Sequence, residues 1–127
     1  MPDKKALNTP LAAEMGGPYS QAIIYKDIIY ISGQGSVDPD TNRLMAGTIE
    51  QESKMALQNI KNIMEAAGSS IDNILHVSVY LADMREYGRF NDVYRTFFRE
   101  PMPARTTVAV KNVPFGLRIE IDAVGHI

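Results

Sequence analysis

The chain has no cysteine, only two histidines and no excess of positive charge, with 15 Asp and Glu against 13 Lys and Arg in 127 residues. Lack of cysteine excludes disulfides, thiol nucleophiles and thiolate metal sites together. His76 alternates with apolar positions and His126 stands beside the last residue, so neither has a second ligand at metal-binding spacing. A net charge of −2 and a pI near 5.6 leave no basic footprint for nucleic acid or an anionic membrane. No apolar run approaches the length of a membrane span. Met1 to Leu11 carries Asp3, Lys4 and Lys5 and has no apolar stretch, unlike a secretory signal. The expectation is a soluble, cytoplasmic protein. What is present is ordinary: 45% hydrophobic and 22% charged residues, in a length suited to one domain over residues 1–127.

The pattern along the chain predicts an α+β domain. A polar arm turns at Gly16-Gly17-Pro18, a strand follows over Tyr19–Tyr25, and Lys26-Asp27 turns into a second strand over Ile28–Ile31. That second run is apolar at every position, so both of its faces ask for cover. Ser32-Gly33-Gln34-Gly35 ends it with two glycines, and Asp38 to Asn42 is rich in turn residues. Thr48-Ile49-Glu50-Gln51 is a capping box, and Ala56, Ile60, Ile63, Met64 and Ala67 recur at helical spacing before Gly68. Leu75, Val77, Val79 and Leu81 form the apolar face of a third strand. A second helix carries Tyr87, Phe90, Tyr94 and Phe97 on one stripe until Pro101 and Pro103 stop it. Two helices can cover only one face of the sheet, and the simplest cover for the other is a second copy of the chain.

The last two strands carry the chemistry. Pro103–Val110 places Arg105, Thr107 and Ala109 on one face, and Arg118–Ala123 places Arg118, Glu120 and Asp122 on one face. Pro114 and Gly116 in the linker suit an antiparallel return, and a register with Thr107 opposite Glu120 would bring a guanidinium, a hydroxyl and a carboxylate to one patch. By residue type alone, Arg105 and Glu120 on neighbouring strands are most often a structural or interfacial ion pair. Arg85, Arg89, Arg95 and Arg99 alternate with acids and read as the solvated face of the second helix. Gly33-Gln34-Gly35 lacks the third glycine and the helix of a dinucleotide fingerprint.

Several blocks in order resemble the RidA/YjgF family, also labelled L-PSP or UK114-like. They are Gly17-Pro18-Tyr19-Ser20-Gln21-Ala22, Ser32-Gly33-Gln34, Gln58-Asn59-Ile60-Lys61, Glu65-Ala66-Ala67-Gly68, Asn91 with Tyr94 and Phe97-Phe98, Pro103-Ala104-Arg105, and Ile119-Glu120-Ile121. The resemblance spans nearly the whole chain. It implies a chorismate-mutase-like α+β fold, a homotrimer with sites at subunit interfaces, and hydrolytic deamination of 2-imino and 2-enamino acids such as 2-aminoacrylate. It also implies a shared site in which Arg105, Thr107 and Glu120 of one subunit face Tyr19, Ser32 and Gly33 or Asn91 of the next. Thr107 stands where many members carry cysteine, and Gly35-Ser36 replaces a bulky apolar residue and proline.

The residues fit that chemistry. A guanidinium can grip the carboxylate of an imino acid through two parallel hydrogen bonds, which makes Arg105 the clamp. Glu120 can take a proton from the attacking water and return it. The Ser32-Gly33 backbone can meet the imine nitrogen or the tetrahedral centre, with hydroxyls of Tyr19, Ser32 and Thr107 completing the shell and Asn91 orienting a loop or substrate. No cofactor or metal is needed, because free imines already hydrolyse in water and positioning suffices. Two other functions stay open: an endoribonuclease or translation inhibitor, and a non-catalytic trimer that binds small carboxylates.

Overall fold

The computed structural model describes residues 3–14 and 16–127. Its strands are β1 (Lys5–Leu7), β2 (Ala22–Tyr25), β3 (Ile28–Gln34), β4 (Val37–Asp38), β5 (Arg43–Leu44), β6 (Ile74–Leu81), β7 (Ala104–Ala109) and β8 (Ile119–His126), and its helices are α1 (Ile49–Ala66) and α2 (Tyr87–Phe97). The main sheet has the order β1-β2-β3-β8-β6-β7, with β4 and β5 forming a separate small hairpin. Every pair in the main sheet is antiparallel except β6 and β7. The fold is a single-domain α+β structure with a mixed sheet and two helices, as the sequence pattern predicts.

The helix signals work as read. The Thr48 hydroxyl accepts from the Gln51 amide at 3.2 Å while the Gln51 side chain accepts from the Thr48 amide at 2.9 Å, so α1 starts with both partners of its capping box in place. Gly68 takes a left-handed φ of 78°, which lets the chain leave the helix. Ala56, Leu57, Ile60, Ile63 and Met64 on α1 and Phe90 and Tyr94 on α2 are buried against Ile29, Ile31, Val77, Val79, Leu81, Ile119, Ile121 and Ala123 of the sheet. Each such side chain contributes about 1.5–3 kcal/mol by leaving water, before ordering costs.

Four expectations are corrected. The N-terminal arm contains strand β1, held to β2 through Lys5↔Ile24 to Leu7↔Ala22. The arm is anchored by buried amides that the polar composition concealed: Gln21 exchanges hydrogen bonds with both backbone groups of Thr9, at 2.7 and 3.1 Å, and Asn59 accepts from the Ala13 amide at 2.9 Å. Strand β3 does not stop at Ile31 but continues to Gln34 through a bulge, since Ile31 pairs with Ala123 and Gln34 with Ile121. A second bulge, between Ile74 and His76, throws Leu75 off the apolar face and leaves it 47% exposed.

The fourth correction moves the chemistry. β7 and β8 are not a hairpin, because β6 lies between them. Helix α2 carries the chain back across the sheet, so β7 must run parallel to β6 as in any strand–helix–strand crossover, and β8 then fills the slot between β6 and β3. Thr107 is level with Val79, which faces Ile121, whereas Glu120 faces Tyr80. Thr107 and Glu120 are therefore not opposite each other.

Both helices lie on one face of the sheet. The other face carries Tyr25, Ile28, Tyr30, Val124, His76, Ser78, Tyr80, Glu120, Asp122, Thr106 and Val108 by the strand registers. In the single chain Tyr30 is 49% exposed although Ile29 and Ile31 beside it are buried, so the run Ile28–Ile31 is covered on one side only.

Candidate functional site

Arg105 sits on the helix side of edge strand β7, level with Val77 and Ala123. Its guanidinium reaches under α2, where the aromatic stripe forms a cage around it. The guanidinium carbon is 4.6 Å from the ring centre of Tyr94, 5.2 Å from Phe90 and 5.6 Å from Tyr87, within cation–π range. Nη2 donates to Asn91 Oδ1 at 2.8 Å and to the Tyr87 hydroxyl at 3.0 Å. Tyr87, Asn91, Tyr94, Met102, Pro103 and Arg105 line one open pocket. Hydrogen bonding by Asn91 and Arg105 draws the Tyr87 phenol below its ordinary pKa, while burial pushes that of Tyr94 up to about 12 against the opposing charge of Arg105. Thr107, two residues along β7 on the same face, has its hydroxyl buried without a hydrogen-bond partner, as does Tyr94.

Glu120 lies on the opposite face. Arg105 is level with Val77 and Glu120 with Tyr80, three residues further along β6, so the two side chains do not meet within one chain and form no ion pair. The carboxylate instead rests on the β3 bulge: a Cβ built on Gly33 would fall 2.6 Å from Glu120 Oε2. Only glycine permits that approach without moving the carboxylate. Burial, with a smaller repulsion from Asp122, raises the pKa of Glu120 above that of an ordinary glutamate. Tyr80 donates its hydroxyl to Asp122 Oδ2 at 2.9 Å, which holds Asp122 in place beside Glu120 and raises the tyrosine's own pKa. Gly33, Tyr80, Val113, Pro114, Glu120 and Asp122 line this second pocket. Gly33 also borders a cleft lined by Tyr19 and Gln21.

The remaining candidates divide accordingly. Tyr19 is 57% exposed at the mouth of the Gly33 cleft. The Ser32 hydroxyl donates to the Ser20 carbonyl at 2.7 Å, so it ties β3 to the segment before β2. The contacts within one chain put Asn91 with Arg105 and Gly33 with Glu120, which differs from the expected division of Arg105, Thr107 and Glu120 against the rest. The sequence places Tyr87, Phe90 and Tyr94 on one stripe of the second helix but does not reveal that they cage Arg105; the signal available was an aromatic stripe one helical turn either side of Asn91. It also missed Tyr80 and Asp122, because only the β6–β8 register brings them together. Among the described residues no three His, Asp or Glu side chains come close enough to hold a metal ion, and no helix is long and apolar enough to cross a membrane.

Known proteins match this chain, in sequence and in fold, over almost its full length. The family described as endoribonuclease L-PSP matches residues 9–127. The 2-iminobutanoate/2-iminopropanoate deaminase of Mus musculus is 40% identical over 95% of this chain and 90% of its own length. A Rid-family protein of Yersinia pestis superposes with a TM-score of 0.94 at 34% identity, covering 98% of this chain and 99% of its own. RidA of an Antarctic Psychrobacter gives a TM-score of 0.92 at 35% identity, covering 97% of this chain and 99% of its own. The chain belongs to the RidA/YjgF (L-PSP) family.

Proposed function

We propose that this protein is a cytoplasmic hydrolase converting reactive 2-imino and 2-enamino acids, 2-aminoacrylate among them, to 2-oxo acids and ammonia. The name of the mouse relative supports the reaction class. The observation that carries the reading is the separation of Arg105 and Glu120 onto opposite faces, each in its own half-built pocket. A carboxylate clamp without a base and a base without a clamp become one site when a second copy covers the open face. The working form is then a homotrimer. Arg105, Asn91 and Thr107 of one subunit meet Glu120, Gly33, Ser32 and Tyr19 of its neighbour.

In that site Arg105 holds the substrate carboxylate, and Glu120, its pKa raised, takes a proton from water as the oxygen bonds to the imine carbon. The proton passes to the nitrogen, and as the carbon–nitrogen bond of the resulting carbinolamine breaks its hydroxyl proton moves through Glu120 to the departing nitrogen, so that ammonia leaves and a 2-oxo acid remains. An enamino acid enters the same steps after taking a proton at its β-carbon and losing one from nitrogen to become the imine. Backbone amides at the Gly33 bulge can donate to the developing centre. Neither a cofactor nor a metal enters this sequence of steps.

The endoribonuclease reading fits the charge distribution less well. Arg89 and Arg95 on α2 pair with Glu50 and Asp92, and Arg85 and Arg99, which lie just before and just after the helix rather than on it, pair with Asp83 and Asp72, so among the described residues this side presents no free basic stripe to a phosphate backbone. Imines generated in place by an amino acid oxidase and trapped with semicarbazide give the test: an active hydrolase leaves less to trap and releases ammonia faster. Trapping unchanged across small and apolar imines would remove the enzyme reading and, if 2-oxo acids still bind, leave a carboxylate-binding trimer.

A further inference from the structure

The caged arginine is already fully committed at the nitrogen a carboxylate most needs. A guanidinium can present a paired grip along two edges, Nε with Nη2 or Nη1 with Nη2, and both use a proton of Nη2. Nη2 carries two protons and donates to two protein acceptors, Asn91 Oδ1 at 2.8 Å and the Tyr87 hydroxyl at 3.0 Å. Neither paired edge is open while both contacts hold.

The two acceptors differ in how readily they let go. Asn91 is partly buried in the middle of the first turns of α2, and its amide oxygen is the shorter contact. Tyr87 is the first residue of α2 and is 39% exposed, and its oxygen is a phenol that water can satisfy once Arg105 turns away. Losing that contact leaves no buried polar group behind, so it is the cheaper one to break.

We propose that the Tyr87 hydroxyl is a built-in competitor for the substrate carboxylate: it holds the Arg105 fork closed in the free protein, and an α-imino or 2-oxo acid must displace it to gain a paired grip. Tyr87 is thus a positioning residue that sets affinity at the clamp. Its ring keeps one wall of the cage whether or not the hydroxyl is engaged, because the cation–π contact uses the face of the ring. Tyr87→Phe retains that wall and removes the competing hydroxyl, together with its contact to Asn91. This inference rests on the carboxylate-clamp role proposed for Arg105.

The experiment is calorimetric titration of the intact protein with 2-oxobutanoate, comparing wild type, Tyr87→Phe and Arg105→Lys. The expected result is about three- to tenfold tighter binding by Tyr87→Phe, the span of one ordinary hydrogen bond's net worth. In turnover of the matching imine, KM should fall by a similar factor, with a smaller change in kcat. Binding of 2-oxobutanoate to the wild type should also give a tyrosine difference spectrum near 290 nm that Tyr87→Phe lacks, a signature that a purely structural tyrosine would not produce. Unchanged or weaker binding by Tyr87→Phe, with Arg105→Lys impaired, overturns the competitor role and leaves the clamp standing. Equal binding by Arg105→Lys and wild type overturns the clamp and this proposal with it.

Discussion

The two faces of the main sheet are made from the same alternation of residues and reach different states. On the helix side, the apolar strand residues from Ala22 to Ala123 are buried under α1 and α2, and a charged group placed there, Arg105, is met by three aromatic rings and two hydrogen-bond acceptors. On the open side Tyr30 and Val108 remain 49% and 41% exposed, and Glu120 sits in an open pocket against the glycine bulge, with Asp122 beside it and Tyr80, Val113 and Pro114 along the wall. The helix side has its partners within the chain. The open side has no covering layer among the described residues of the chain, and the reaction proposed, which needs both Arg105 and Glu120, needs both faces.

The sharpest way to break that comparison is to disable the open side alone. Glu120→Gln keeps the shape and removes the base, so kcat for imine hydrolysis should fall about 10²- to 10⁴-fold while calorimetry shows 2-oxo acid binding nearly as before. A variant that loses binding and turnover together would place Glu120 in the clamp. Disabling the helix side should do the reverse. Arg105→Lys keeps the charge and loses the paired geometry, and with charged hydrogen bonds worth about 1.5–3 kcal/mol each, 2-oxo acid affinity should drop on the order of 10- to 100-fold.

Mixing the two sides tests whether they meet between copies. Arg105→Ala and Gly33→Trp damage opposite halves, and in randomly mixed trimers about a quarter of interfaces would join two intact halves. Activity should return to roughly that fraction once mixed assemblies are confirmed by mass, and confirmed mixtures with no activity would count against a shared site. Full activity in a monomer would remove it.

The smallest expected effect is in pH. Burial first and Asp122 second raise the pKa of Glu120 from 4.5, so the acid limb of the rate profile should lie above that of a free glutamate, and Asp122→Asn should move it to lower pH. The same shift has a consequence for stability. A carboxyl whose folded pKa is raised carries no penalty in acid, where both states are protonated, and a growing one as pH climbs from the unfolded to the folded value. Glu120→Gln should therefore melt with the wild type at low pH and above it near neutrality. Equal melting temperatures across the range would show that Glu120 is not held in a desolvated position.

Much of this was legible one element at a time. The capping box at Thr48, the Gly68 exit and the apolar spacing of α1 are local rules, satisfied within a few residues, and they appear as read. Buried amides escaped notice because Gln21 and Asn59 look like surface residues until their partners, Thr9 and Ala13, arrive from elsewhere in the chain. The two bulges were invisible for a similar reason: alternation predicts a face for Leu75 and an end for β3 only if the register never slips, and it slips at both places. The candidate site fared likewise. Arg105, Asn91, Gly33 and Glu120 stood out as residues, but the hairpin drawn between β7 and β8 put the wrong ones together.

By itself the sequence determined both helices and the longer strands, that only one sheet face would have helices to cover it, and that a guanidinium and a carboxylate would lie near the end of the chain. These follow from periodicity, capping and side-chain chemistry, which act over a few residues. The tertiary structure alone decided where those groups point. Strand order depends on the crossover through α2, and inserting β6 between β7 and β8 sends Arg105 into an aromatic cage and Glu120 to the far side of the sheet. Neighbours across a sheet are chosen by how helices pack on it, a global balance of buried area that no window of sequence contains.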